Sequence, residues 1–373
     1  MKPKPFECDC LHLCTPPHPV GAVLHTSSAH MRRKLERMLG PSSAAQWTLF
    51  GEEATLQLER LHSGLSYTER TELRVAPLFE TGPDLWQAMT LEDWLERQRS
   101  AWFGALEDKL YFELQPIAHL RTRQTYGFEA LVRARLNDGQ HLNAGALLSA
   151  ARSYSQTHAF DAVARVGAIE QAFPHLPAPY SLFVNFAPSV VYDPQVCLAT
   201  TLKACERVGA DPSRLVFEVV ETEAFPDLEL LGRILERYRD FGARVALDDL
   251  GAGNTSLMYL ERLRPDLVKL DRDLIRGIHF DDPRSKLVAA LIDYAHRLGI
   301  EVVAEGVETA ADALALEALQ VGYGQGWYWG RAVPAELLED RYDIPVAVPS
   351  SLTGLLPRQG TAAQAADTAL ADA

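Results

Sequence analysis

The chain has 373 residues, 47% of them hydrophobic and 23% charged, enough for one large domain and a smaller one. A formal net charge of −14 and a pI near 5.3 argue against a binder of nucleic-acid polymers or of anionic membranes, either of which needs a basic face. No apolar run approaches the ~20 residues that cross a bilayer, and the opening Met1-Lys-Pro-Lys-Pro-Phe-Glu-Cys8 lacks an apolar signal core, so a cytoplasmic protein without a membrane span is expected.

From the N-terminus, Cys8-Asp-Cys10-Leu-His-Leu-Cys14 places three thiols within seven residues. Soft ligands of this kind suit a zinc or iron–sulfur centre or a redox sensor. The spacing matches no two-knuckle template, however, and reduced, unliganded thiols are the competing reading. Ala29 to Leu39 predicts a helix closed by Gly40-Pro41. Thr90-Leu-Glu-Asp93 is a capping-box start for another, carrying Trp94, Leu95, Trp102 and Leu106. Residues 1–107 therefore form a small N-terminal α/β or helical domain, a sensory or regulatory candidate whose input signal the sequence does not name.

Residues 108–340 alternate strand and helix, as βα units do. Strand-like runs end on, or contain, residues suited to a metal or a phosphate: Glu129 in Gly127–Arg133, Asn185 after Tyr180–Val184, and Glu218 in Leu215–Glu221. Then follow Asp248-Asp249 after Arg244–Leu247, Lys269 in Leu267–Leu270, Glu305 after Glu301–Ala304, and Gln325. Between them, the stretch 227–241 places Leu228, Leu231, Ile234, Leu235, Tyr238 and Phe241 on one helical face, stopped by Gly242. The stretch 283–298 likewise places Leu287, Leu291, Tyr294 and Leu298 on one face, stopped by Gly299. Each stop precedes its acid by six residues. A parallel (β/α)8 TIM-like barrel, which collects polar groups from many strand ends on one face, is the economical architecture. An open doubly wound sheet is its competitor. Residues 341–373 turn to Pro, Ala, Ser, Thr and Gln with few large apolar side chains, the composition of a disordered tail.

The donor set is all oxygen: carboxylates of Glu129, Glu218, Asp248, Asp249 and Glu305, and the amide of Asn185. Such sites suit Mg²⁺ or Mn²⁺ better than zinc or iron. At a strand end the turn can aim both Asp248 and Asp249 at one site, so that one carboxylate bridges two ions. Taken singly, each acid is more often the cap of the next helix, Lys269 an ion-pair partner, and the Gly-Ala-Gly after Leu250 a simple turn. Their joint placement is what favours a site.

The ordered set Tyr126-Gly-Phe-Glu129-Ala-Leu-Val-Arg133, Asn185-Phe-Ala187, Glu218-Val-Val-Glu221, Asp248-Asp-Leu-Gly-Ala-Gly-Asn-Thr-Ser-Leu257, Lys269-Leu-Asp271, Glu305-Gly-Val-Glu308 and Gln325-Gly326 strongly resembles the EAL-domain family of bacterial cyclic di-GMP phosphodiesterases. The resemblance covers roughly residues 110–338. It implies a modified β/α barrel with one antiparallel strand, and hydrolysis of cyclic di-GMP to linear pGpG. It further implies one Mg²⁺ or Mn²⁺ on Glu129, Asn185, Glu218 and Asp248, a second held by Asp248 and Asp249, and inhibition by Ca²⁺. By the same resemblance Glu305 is the general base and Lys269 positions the attacking water. Glu221, Asp271, Glu308 and Gln325 are supporting residues, and Gln115, Leu131 and Arg133 contact substrate. A homodimer through the barrel is implied as well.

Ala187, Val220, Leu250, Asn254 and Gly322 depart from the usual pattern, which for the first four has Ser, Thr, Phe and an aromatic and for the last an aspartate. None is an expected ligand. Two other classes stay open: a weak or inactive cyclic di-GMP receptor, against which the complete ligand set stands, and a pure protein-interaction module.

Overall fold

The computed structural model describes residues 13, 19–42, 45–188, 191, 198–220, 227–251, 257–278 and 282–338. The expectations on Cys8, Cys10, Cys14, Glu221, Asn254 and the 341–373 tail lie outside the described residues.

The N-terminal unit is α/β. An antiparallel sheet joins β1 (Gly21–His25), β2 (Gln46–Phe50), β3 (Arg74–Phe79), β4 (Gly82–Pro83) and β5 (Met89–Thr90) in the order β2-β1-β3-β4, with β5 also on β3. Helices Ala29–Leu39 and Gly51–Gly64 cover it through Met31, Leu35, Leu58 and Leu61, packed with Leu24 and Val75. The hydroxyl of Thr90 accepts from Asp93 N at 3.1 Å and starts the helix Leu91–Arg99, which buries Trp94 and Leu95. Beyond it, Phe103 and Leu106 are fully buried among Leu110, Ala134, Leu147 and Phe160. Phe103 stacks on Tyr154 with ring centroids 5.1 Å apart, and the Tyr154 hydroxyl donates to Arg97 O at 3.2 Å. The lead-in is thus fixed to the flank of the next unit by aromatic packing.

That unit is a closed barrel of eight strands, which excludes the open sheet. In chain order they are β6 (Leu110–His119), β7 (Thr125–Arg135), β9 (Ser181–Phe186), β10 (Leu215–Val219), β11 (Arg244–Leu250), β12 (Leu267–Leu270), β13 (Glu301–Ala304) and β14 (Tyr323–Gln325). The ring runs β6-β14-β13-β12-β11-β10-β9-β7 and returns to β6, with β8 (His141–Leu142) and β15 (Val333–Pro334) attached to β7 and β6. Strand β6 pairs antiparallel with both neighbours, and the other pairs in the ring are parallel. Among the described residues no helix is long and apolar enough to cross a membrane.

The helix Leu228–Asp240 buries Leu231, Ile234, Leu235 and Tyr238, as its periodicity predicts. Helix Pro283–Arg297 corrects the sequence reading. Its buried stripe is Ser285, Val288, Ile292 and Ala295, and the expected Leu287 is 53% exposed. Two apolar stripes, one residue apart, overlap on this helix. The barrel takes the one with the smaller side chains, which lets the helix approach the sheet closely.

Side chains alternate across each strand, and this alternation builds the site. Ile117, Phe183, Val216, Ala246, Leu267, Val303 and Tyr323 form an apolar layer inside the barrel. Two positions from each stands, in the same order, Gln115, Asn185, Glu218, Asp248, Lys269, Glu305 and Gln325. On β7, Gly127 and Glu129 repeat the step. One layer is the floor, and the next is chemistry.

Candidate active site: an acidic cleft at the mouth of the barrel

A cleft of about 300 Å³ opens at the carboxyl ends of the parallel strands, lined by Gln115, Glu129, Asp248, Lys269, Glu305 and Gln325, with Arg272, Glu308 and Trp327 toward the outside. Register brings the inner groups level: Gln115 lies opposite Glu129, and Glu218 beside Asn185. Asn185 Nδ2 donates to Glu129 Oε1 at 2.8 Å, and Gln325 Nε2 donates to Glu129 Oε2 at 2.7 Å and to Gln115 Oε1 at 3.3 Å. Two amides therefore fix one carboxylate in a single orientation.

Lys269, 1% exposed, is the hub. Its Nζ contacts Glu218 and Glu305 directly, and lies 3.4 Å from Glu129 Oε2 and 3.6 Å from Asp248 Oδ1. Burial works against its charge, yet the four surrounding carboxylates hold its pKa well above the ordinary lysine value. Burial pushes Glu218 well above the usual carboxylate range, with Lys269 opposing and its acidic neighbours adding. Burial also acts to raise Glu129, but Lys269 and the two amides outweigh it and leave this group below its usual value. Glu305 is pushed up to about 7 by burial, Lys269 opposing, with Asp248 and Glu129 adding to the rise.

Where Asp248 and Asp249 occur, β11 bulges. Leu247 pairs with Val268 and Leu250 with Leu270, so two residues of β11 face the single Lys269. Asp249 takes a left-handed φ of +55°, and its N–H donates to Asp248 Oδ1 at 2.9 Å. Burial, then repulsion from Asp248 and Asp271, raises the Asp249 carboxyl to about 6.

One ammonium does not balance this many acids, and the residues fit divalent cations. Glu129, Glu218 and Glu305 bring one oxygen each within 4.8 Å of one another, and so do Asp248, Asp249 and Glu305. Glu305 is common to both groups. Glu218 Oε2 and Gln325 Oε1 are buried without a hydrogen-bond partner, a costly state for an acceptor unless a cation or proton faces it. A hard, all-oxygen set of this kind suits Mg²⁺ or Mn²⁺.

Other expected residues sit farther out. Arg133 and Leu131 share the inward face of β7 with Glu129 but do not line the cleft, and Arg133 Nε donates to Glu113 Oε2 at 2.8 Å. Asp271 caps the short helix Arg272–Ile275 by accepting from Asp273 N at 2.8 Å. Glu308 lines the cleft and pairs with Arg272 at 3.4 Å. Of the departures, Ala187 N donates to the buried Asp161 Oδ1 at 2.7 Å, itself ion-paired with Arg165. Leu250 is core, 2% exposed. Sequence reasoning missed Arg272 and Trp327, which carry no signal beyond lying next to Asp271 and Gly326.

The EAL domain model matches residues 98–332. Over 235 residues the chain is 28% identical to the probable cyclic di-GMP phosphodiesterase PdeN of Escherichia coli K12, covering 61% of this chain and 44% of that one. Among solved structures, a standalone EAL protein of Vibrio cholerae O395 in its c-di-GMP-bound form is 33% identical, with a TM-score of 0.55 over 60% of this chain and 92% of that one. The manganese/c-di-GMP complex of Klebsiella pneumoniae BlrP1 is 28% identical, with a TM-score of 0.55, over 61% and 56% respectively. The chain spans less than half the length of the first curated relatives it matches.

Proposed function

The chain belongs to the EAL domain family, and on that footing we propose that it hydrolyses one phosphodiester of cyclic di-GMP to linear pGpG, using two Mg²⁺ or Mn²⁺ ions held by Glu129, Asn185, Glu218, Asp248 and Asp249. The observation that carries this reading is the pair of three-carboxylate groups sharing Glu305 around one buried lysine. Relatives named as cyclic di-GMP phosphodiesterases and neighbours solved with c-di-GMP support it. The bound ions would neutralise the phosphate and lower the pKa of the attacking water.

The remaining work falls to the chain. Glu305, held beside Lys269 at the mouth of the barrel, accepts the proton of the attacking water. Lys269 holds that water's oxygen by donating to it and offsets charge gathered on the phosphate. Asn185 and Gln325 keep Glu129 from rotating out of the ligand set. Gln115 meets the substrate from the facing strand, and Arg133 from farther out along β7. Ca²⁺ is expected to support binding without turnover, and the protein to dimerise through the barrel.

The test is chromatographic. Purified protein with cyclic di-GMP should release pGpG in Mg²⁺ or Mn²⁺, not in Ca²⁺ or chelator, and Glu129→Ala should abolish both Mn²⁺ binding and product. Near wild-type turnover by Glu129→Ala overturns the ligand assignment. Tight binding with no product in either metal would instead make the protein a receptor.

A further inference from the structure

The helix Thr157–Gly167, packed against β9, carries a buried charged pair that the reaction does not use. Asp161 and Arg165, one turn apart, are 8% and 2% exposed, and Asp161 Oδ2 accepts from Arg165. Arg165 Nε donates in turn to the hydroxyl of Thr201 at 2.8 Å, a fully buried residue of the helix Ala199–Val208. A buried ion pair is a poor device for stability alone, because apolar side chains of similar volume often serve as well or better.

The second oxygen of Asp161 has a more specific use. Asp161 Oδ1 accepts from Ala187 N at 2.7 Å, and Ala187 stands two residues past Asn185. On one side of β9 the ladder to β7 ends at Val184, opposite Ala130. On the other side pairing with β10 runs on to Phe186, whose O accepts from Val220 N at 3.0 Å. The carboxylate therefore ties the strand end where its β7 partner has run out, and Ala187 has no polar side chain with which to anchor itself. Phe186 and Phe217, next to Asn185 and Glu218, also lie against the Tyr238 ring, with centroids 5.2 and 3.8 Å away. Apolar packing of that kind sets how far the helix stands from the sheet and is non-directional. A hydrogen bond, with its narrow range of length and angle, sets where the strand end lies along its own axis.

That placement matters at Asn185. Its amide lies beside Glu218 in the register and donates to Glu129 Oε1 at 2.8 Å, which leaves its carbonyl oxygen for a cation. We propose that Asp161 is a positioning residue for the metal ligands: it pins the end of β9 so that Asn185 stays level with Glu129 and Glu218, and Arg165 and Thr201 fix its carboxylate. The proposal rests on the metal-dependent reading of the cleft. It extends that reading to a helix residue that touches neither cation nor substrate. Groups that orient a ligand in this way commonly carry roughly 10- to 100-fold of metal affinity.

The test uses the full chain, with Mn²⁺ affinity and thermal melting each measured by calorimetry. Asp161→Ala, which removes the acceptor, should weaken Mn²⁺ binding on the order of 10-fold. Asp161→Asn keeps an acceptor for Ala187 N and should stay within about threefold of wild-type affinity, although it should melt lower because it strands the Arg165 charge. The double variant Asp161→Ala/Arg165→Met strands no charge. Its melting temperature should recover toward wild type, while its Mn²⁺ affinity stays as low as that of Asp161→Ala. Wild-type affinity in the double variant, or affinity that simply follows melting temperature across the series, overturns the positioning role and leaves the phosphodiesterase reading intact. Failure of the wild-type protein to bind Mn²⁺ removes the metal reading and the positioning role together.

Discussion

Lys269 is the residue on which the site turns, because one ammonium stands among four carboxylates in a buried place. Removing one partner of a buried charge cluster costs more than forming it gains, since the others stay desolvated. Metal-free Lys269→Met should lose about 3–5 kcal/mol of unfolding free energy, read by urea denaturation, and Mn²⁺ should restore a larger share than it adds to wild type. Equal stability of the two metal-free proteins would contradict a buried ammonium held among four carboxylates. A second residue-scale prediction concerns Gly306. It has a φ of +64°, and a Cβ there would lie 2.4 Å from Arg272 Cγ. The side chain can swing aside, but then Arg272 leaves Glu308, and the left-handed backbone still costs about 1–2 kcal/mol in alanine. Gly306→Ala should therefore lower the melting temperature by several degrees; an unchanged Tm would count against this account.

At the scale of elements, the bulge in β11 decides how the two aspartates are presented. Without the extra residue, Asp248 and Asp249 would point to opposite faces of the sheet. With it, both join Glu305, at the price of a left-handed Asp249. Asp249→Gly and Asp249→Ala both delete the carboxylate but differ in that strain, so the glycine variant should be the more stable by about 1 kcal/mol in metal-free denaturation. A more stable alanine variant would show that the strain lies elsewhere. Much of this level was legible in the sequence. Strand period two, helix-stopping Gly242 and Gly299, and an acid six residues after each located β11 and β13 closely. Helix Pro283–Arg297 was misread because a sequence with two overlapping stripes does not say which one the sheet selects; that is settled by how closely the helix packs. Trp327 was missed for a related reason. Next to Gln325-Gly326 it is one of two tryptophans two residues apart, and only folding decides which is buried.

For the molecule as a whole, the packing of Phe103 against Tyr154 and Phe160 fixes the lead-in to the barrel, beside the contact of Arg97 in the preceding helix with Tyr154. Its cluster includes Ala134 of β7, five residues beyond Glu129. Phe103→Ala should cost about 3–5 kcal/mol and split the calorimetric melting of the two units into separate transitions, with proteolysis rising between residues 99 and 110. Retention of one transition would mean that the units are coupled elsewhere. Composition told little of this lead-in, since Trp102, Phe103 and Leu106 look alike as apolar positions of a continued helix; the chain instead breaks into tight turns that aim Phe103 inward. The apolar floor from Ile117 to Tyr323 bears on traffic. It makes the barrel a cup and not a pipe, so a molecule that enters from the mouth must back out the same way. If the proposed hydrolysis takes place there, product would leave by the mouth through which substrate enters, and should inhibit competitively in a steady-state assay.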